Sequence, residues 1–498
     1  MTIKKTGAVL VLAGCFLGIS ARAVENQAVK FDPAPYLGTR WYGAYLMGNK
    51  VGYGSFRLAQ TDYHGRRAYT SESSIFYRLN LGGRTHEMSI REEKIYLPGQ
   101  GLVAFTSAQN SLLGHSSFTG LKKNSLFEVT TPTGREEIPA PEEKLADALA
   151  DLVLVHSQAP PGTIVETTQF ETTLLTTVRI KHTVDSIEKR FISGVPTTIY
   201  RVASEFPQLG IKTLSLIDQH LHILEAKVGG VITIREEGEK ESKDMGYASD
   251  LLLMTSITPD RPVPDPRHAR SLTMRLSGID DTGLLLSSPR QRFEKLGPQT
   301  YYLKISVQED PNVPALRLPV LDADLKPYLK PTAYLQSTHS SVRQLAQEIA
   351  GNEKNAGRVT ERLVDWVYQN LEKSFLAAIP NALDVLKKRS GDCKAHSVLF
   401  VALARSLGLP ARQVSGLVEI EDGKFYYHQW AEVHTGRWIP VDPVFGQVRA
   451  DATHIKLSQG DLVEQLRLLN IIGAISIKVL DYQTDEEAGD HLPTGTSH

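Results

Sequence analysis

The sequence predicts a multidomain α+β protein. Its parts are an antiparallel β-rich N-terminal region (a curved sheet or open barrel), a small β domain after a linker, and an α+β C-terminal domain. Three observations carry that prediction. From Trp41 to about Lys240, apolar and polar residues alternate between Gly-rich turns, the period of half-buried strands. "TPDRPVPDPRH" then gathers Pro259, Pro262, Pro264 and Pro266, the composition of a linker. From about Pro331 the apolar period lengthens to that of helices, and returns to alternation beyond Arg412. The boundaries that follow are 1–23 for a signal segment, 24–256 for the β-rich domain, 257–325 for the small β domain, 326–482 for the α+β domain, and 483–498 for a polar tail expected to be disordered.

Each element has its own signal. "WYGAYLMGNKVGYGSFRLAQT" reads as two strands around a turn at Gly48-Asn49-Lys50, and "RAYTSESSIFYRLN", "RTHEMSIREEKIYL" and "GLVAFTSAQNS" continue the pattern. "PEEKLADALADLVLVHS" interrupts it as a short helix with Leu145, Leu149 and Leu152 on one face. Strands then resume, including "IKTLSLIDQHLHILEAKV", where His220 and His222 alternate and share a face. The two strand runs resemble one another in order and length, so a weak internal repeat is expected. After the linker, "SLTMRLSGI", "GLLLSS" and "QTYYLKISV" are candidate strands. "SSVRQLAQEIAG", "RVTERLVDWVYQNLEKS" and "NALDVLKKRS" are amphipathic helices, the second with Val359, Leu363, Trp366, Val367 and Leu371 in one stripe.

Composition bounds the function. Of 498 residues, 41% are hydrophobic and 22% charged, with a net charge of −1, so no basic excess is available to neutralise nucleic-acid phosphates. "MTIKKTGAVLVLAGCFLGISARA" has Lys4 and Lys5, an apolar run from Ala8 to Ile19, and Ala21-Arg22-Ala23: the plan of a secretory signal cleaved after Ala23. "LAGC" offers the alternative of a lipoprotein box that would leave Cys15 lipidated, and membrane contact is expected only in that case. An exported, periplasmic or extracellular chain with Cys15 removed or modified keeps one free thiol, Cys393.

That thiol begins the apolar helix in "RSGDCKAHSVLFVALARSLGLPAR". Asp392 is a natural N-cap, and Gly408 and Pro410 end the helix. The free N–H groups and positive dipole of a first turn favour a thiolate and can stabilise an oxyanion. A base is offered by "FYYHQWAEVHTGRWIPVDP", a hairpin about Thr435-Gly436. A three-residue loop there places His428 directly opposite Asp442 on one face, and Trp430, Glu432 and His434 share that face. Cys393, His428 and Asp442 then make a nucleophile, a base and the acid that orients it.

"GDCKAHSVLFVALARSLGLPAR", "HQWAEV" and "GRWIPVDPVFGQ", with "NALDVLKKRSGDC" upstream and "DATHIKL" downstream, resemble the transglutaminase-like superfamily in its bacterial exported branch. The resemblance covers residues 331 to 482. It implies a papain-like fold with Cys393 as nucleophile, His428 as base and Asp442 as orienting acid. Two positions depart from the pattern: Ala395, where relatives often carry an acid, and Val444, where they often carry Thr. The family includes amide hydrolysis, amine transfer and inactive members.

Blander roles suit the neighbouring residues. Cys393, His396 and His428 lack the second ligand pair of a structural zinc site, so His396 is expected to pack or hydrogen-bond beneath the site, and no metal or organic cofactor is called for. Glu432 is expected in an ion pair, His434 solvated at the hairpin tip, and Trp430 as a wall for substrate. The function that follows is a thiol acyl-transfer enzyme acting on peptide or carboxamide bonds of a protein or peptide in the cell envelope. Hydrolysis is slightly favoured over amine transfer. The alternative is a non-catalytic envelope binding or structural protein with a vestigial domain of this family.

Overall fold

The computed structural model describes residues 31–485 apart from 82–83, 112–113, 132–133, 173–174, 193, 209, 246–254, 308–315, 375–379 and 461–464. Residues 1–30, on which the expected signal segment with Cys15 and Ala23 falls, and residues 486–498 lie outside the described residues. The chain divides into two compact units, residues 10–249 and a unit containing residues 250–498.

The first unit is an antiparallel sheet of fourteen strands among the described residues. Hairpin by hairpin, the chain moves from Gly38–Leu46 out to the edge strand Gly134–Pro139. It re-enters at the other edge, Ile164–Glu171, and works back to Ile232–Glu237, which pairs with the first strand (Trp41↔Glu237 to Leu46↔Ile232). The two edges are not joined, so the sheet is open and not a closed barrel. Its first turns are two-residue loops with positive φ at both positions, Met47-Gly48 (47° and 84°) and His64-Gly65 (55° and 75°), whose twist matches that of the flanking strands. The first turn therefore falls before Asn49 and Lys50, which begin the next strand.

Between the edges lie a 3-10 turn, Asp147–Leu149, and the helix Ala150–His156. Leu145, Leu149 and Leu152 are all buried, as their spacing predicts, each contributing about 1.5–3 kcal/mol over an exposed leucine. Asp151 pins the helix to the sheet, accepting from the Ser204 hydroxyl (2.9 Å) and meeting His182 Nδ1 at 2.7 Å. His220 and His222 do not share a strand. Asp218 Oδ1 accepts from both of their backbone amides, and Leu221 at φ 71° turns the chain between Ile211–Asp218 and Ile223–Val228.

The second unit holds two four-stranded sheets. One runs in the order Gln291–Gly297, Thr300–Ser306, Ala269–Ser277, Ser476–Thr484. Gln483 and Thr484, placed in the tail by composition, pair here with Ser271 and Ala269. "GLLLSS" is not a strand: Asp281 caps a 3-10 turn at Thr282–Leu284. The other sheet runs in the order Trp438–Val441, Phe425–His434, Ala411–Glu419, Ile455–Gln459, antiparallel throughout.

Against that sheet lies the helix Cys393–Ser406, buried at every position from Ala395 to Arg405 because it has almost no polar face. Helices Ser340–Ala350, Ala356–Asn370 and Ala382–Lys388 also pack on it. Val359, Leu363, Val367 and Leu371 are buried as their stripe predicts.

Gly416, in the central strand Ala411–Glu419, pairs with His428 on one side and Lys456 on the other, at a bulge. A Cβ at this position would stand 1.9 Å from the Ile455 carbonyl oxygen, a rigid backbone atom. Gly416→Ala is therefore expected to destabilise the fold by about 1–3 kcal/mol, measured by urea unfolding monitored by far-UV circular dichroism.

Candidate active site

Asp392 is extended and caps the helix, its Oδ1 accepting from the amides of Lys394 (3.1 Å) and Ala395 (3.2 Å). Cys393 is thus the first helical residue, and its own amide stays outside that cap. The Gln429 backbone favours the ionised form of the sulfur. One turn on, the Ser397 hydroxyl donates to the Gln429 carbonyl at 3.1 Å. The start of the helix is thereby fastened to the strand at the residue following His428.

The hairpin has its three-residue loop, with Gly436 at φ 111° and the Thr435 amide bonded to the Arg437 carbonyl at 3.0 Å. Its register differs from the expected one: His434 pairs with Trp438 and Ala431 with Val441, so His428 is not directly opposite Asp442. The offset is an even number of residues, which preserves the shared face. Asp442 lies just past the paired strand, and its carboxylate Oδ2 reaches His428 Nε2 at 2.7 Å. His428 Nδ1 is buried and has no hydrogen-bond partner among the described residues.

Asp442 is completely buried and well provided with donors. Oδ1 accepts from the amides of Val444 (2.7 Å) and Phe445 (3.2 Å), folding the following loop around the side chain. The backbone of Asp442 exchanges two hydrogen bonds with Gln447 (2.8 and 2.9 Å), which closes that loop. Oδ2 also meets His454 Nε2 at 3.0 Å. On its other side His454 Nδ1 lies 3.2 Å from Asp451 Oδ1, and Asp451 Oδ2 pairs with Arg267 at 2.7 Å. A continuous chain Arg267–Asp451–His454–Asp442–His428 results. Sequence reasoning assigned no role to Arg267, Asp451 or His454. The available signal was Asp451-x-x-His454 in "DATH", a spacing that lets an acid and a histidine meet across one turn. The ligand atoms of His428, Asp442 and His454 fall within 4.8 Å of one another, with Asp442 hydrogen-bonded to both histidines.

The other expected residues fall around this chain. Trp430 is 1% exposed, with its ring 5.1 Å from His454 and 6.1 Å from His428, so it covers the two histidines inside the fold. Glu432 forms a buried ion pair with Arg412 (2.6 Å) and Lys456 (2.7 Å), as a structural residue would. His396 hydrogen-bonds the Asp392 carbonyl from beneath the site (2.8 Å). His434 is half-buried at the hairpin tip, with its ring 5.4 Å from that of Trp438.

The electrostatics correct one expectation. Burial, reinforced by Asp392, pushes the Cys393 thiol up to about 12, and Lys394 and the Gln429 amide offset this only in part. Burial likewise lowers His428 below the ordinary histidine value despite Asp442. Burial opposes ionisation of Asp442 too, but His428 and His454 outweigh it and hold the carboxyl well below the usual range. At rest the pair is a neutral thiol and a neutral imidazole, not the thiolate that a helix start alone favours. Iodoacetamide should therefore label Cys393 slowly at pH 6–7 and progressively faster above pH 9, because the thiolate fraction grows as pH approaches the thiol value. A rate plateau already reached at pH 6–7, measured by mass spectrometry of the labelled peptide, would contradict the neutral pair.

The sequence profile of the transglutaminase-like superfamily matches residues 343–443. A protein of Haemophilus influenzae described as uncharacterised is 31% identical over 99 residues, 19% of this chain and 27% of that protein, so the match spans about a quarter of the relative's length. Among solved structures, one from Cytophaga hutchinsonii provisionally described as a cysteine protease shares 17% identity at a TM-score of 0.29, over 44% of this chain and 88% of that one. A β-barrel-like protein of unknown function from Brucella abortus shares 8% at 0.31, over 40% and 94%. The profile match spans the cysteine helix, the His428 strand and Asp442. Residues 343–443 are a domain of the transglutaminase-like superfamily, set within a longer chain.

Proposed function

We propose that the protein is a cysteine-dependent acyl-transfer enzyme acting on peptide or carboxamide bonds, with Cys393 as nucleophile, His428 as base and Asp442 as orienting acid. The two ring nitrogens of His428 carry the proposal: Nε2 is held by Asp442 at 2.7 Å, and Nδ1 is left to accept a proton. Asp442 fixes that tautomer and stabilises the imidazolium formed during reaction.

In the reaction His428 Nδ1 takes the Cys393 proton as the sulfur attacks the carbonyl carbon. The oxyanion is met by the Cys393 amide at the positive end of the helix. The C–N bond then breaks, the imidazolium gives its proton to the leaving nitrogen, and a thioester remains. Water or an amine, deprotonated by His428, attacks the thioester and restores the thiol. Water is the slightly favoured acceptor, being present wherever the site admits solvent. The substrate is a protein or peptide of the cell envelope, reached by export through the N-terminal signal segment.

One observation favours the second reading, a non-catalytic envelope module: Cys393 has no exposed surface. Incubation with envelope extract, with and without a labelled amine, separates the two. New peptide termini indicate hydrolysis, and amine incorporation indicates transfer. Either must vanish in Cys393→Ala, and neither appearing would support the non-catalytic module. Asp442→Asn should lower kcat by about 10³–10⁴, as loss of an orienting carboxylate does, with the folded circular dichroism spectrum retained.

A further inference from the structure

His454 is held more tightly than a packing residue needs to be. Both of its ring nitrogens face carboxylate oxygens, Nε2 at Asp442 Oδ2 (3.0 Å) and Nδ1 at Asp451 Oδ1 (3.2 Å), and Nδ1 also has the Asp451 carbonyl at 3.2 Å. A neutral imidazole carries one N–H and one lone pair, so one nitrogen would turn a lone pair toward a buried anion. Only the doubly protonated ring satisfies both sides.

We infer that His454 is a positioning residue for the proposed reaction: an imidazolium clamped between Asp442 and Asp451 that offsets the charge of Asp442 felt by His428. The inference rests on Cys393 and His428 being nucleophile and base.

The charges in this buried group balance. Asp442 and Asp451 contribute two negative charges, His454 and Arg267 two positive ones, and His428 adds none. Arg267 holds the far end of the chain through Asp451 (2.7 Å). Its guanidinium lies 4.3 Å from the Phe445 ring centroid, and that ring in turn lies 5.2 Å from His428. Among the described residues, other charged or titratable groups facing the site include Lys373 and His396, which feel Asp442, Glu419, which feels Asp451 and Arg267, Arg290, which donates to the carbonyls of Ala450 and Asp451, and Asp392 and Lys394, paired with each other at 3.4 Å next to Cys393. Trp430 and Phe445 close the histidines off from solvent, so these charges act at low dielectric. Burial opposes the charged form of His454, yet Asp451 and Asp442 raise its pKa above the ordinary value, while His428 is lowered.

The sign of the effect follows. With the His454 charge absent, Asp442 acts on His428 uncompensated and makes it more basic. The acid limb of kcat/KM, which reports the neutral base, should then move to higher pH. In His454→Gln, which can still donate to Asp442 but carries no charge, a shift of about one pH unit is expected. Asp451→Asn should shift the limb in the same direction by releasing the proton of His454, and the double variant should add little. A slower enzyme with an unmoved limb would reduce His454 to scaffolding and overturn the inference.

Imidazole ¹⁵N spectra of the intact wild-type protein test the same point without turnover or mutation. At pH 7 His454 should be protonated on both nitrogens and His428 on one, and a neutral His454 would sink the idea. Should the wild type transform no substrate, the proposed activity fails, while the spectra still decide the charge of His454.

Discussion

Asp442 receives four hydrogen bonds on two carboxylate oxygens, and the donors come from three stretches of chain: the turn that follows it, the strand bearing His428, and the loop bearing His454. A carboxylate stripped of water costs several kcal/mol unless such partners replace the solvent. The requirement is structural before it is chemical. The loop after Asp442 has to fold over its own aspartate, and the strand ends where it does, so that all four donors converge. Distant parts of the same unit stabilise the arrangement. Arg267 reaches Asp451, Arg290 donates to neighbouring carbonyls, and Gln291 exchanges hydrogen bonds with Lys456 (2.7 and 2.8 Å). The small β-sheet region is in this sense part of the site's frame.

Two physical effects compete at the sulfur, and their sizes decide between them. A helix N-terminus stabilises an adjacent anion by about 0.3–1 kcal/mol, rising to ~2 in favourable geometry. Raising a thiol from 9.0 to about 12 corresponds to roughly 4 kcal/mol against the anion. Desolvation therefore prevails in the resting molecule. The helix start acts later in the proposed reaction, where negative charge has moved onto a substrate oxygen.

Local signals were legible. The capping aspartate, the apolar run behind Cys393 and the alternation along Phe425–His434 each follow from residue type and period, and they pointed to Cys393, His428 and Asp442 as the candidate residues. The hairpin's face was legible although its exact pairing was not, because any even slip leaves side chains on the same side. His454 and Asp451 were not, since their approach to Asp442 depends on a loop whose path no periodicity encodes. Arg267 sits in a segment that reads only as a proline-rich linker. In the first unit the hairpins were readable one by one. The pairing of Gly38–Leu46 with Ile232–Glu237, which determines the strand order, joins residues far apart in sequence and leaves no local trace. His220 and His222 were misplaced because the apolar residues around them alternate across what is in fact an Asp218-directed turn.

The burial of Cys393 has a consequence beyond nucleophilicity. Peroxides and disulfides, like alkylating agents, react with thiolates that they can reach, and the first oxidised form, the sulfenic acid, opens the way to irreversible ones. A sulfur kept protonated beneath the surface is slow to enter that sequence. The same enclosure that withholds Cys393 from water thus gives the thiol chemical durability against oxidants.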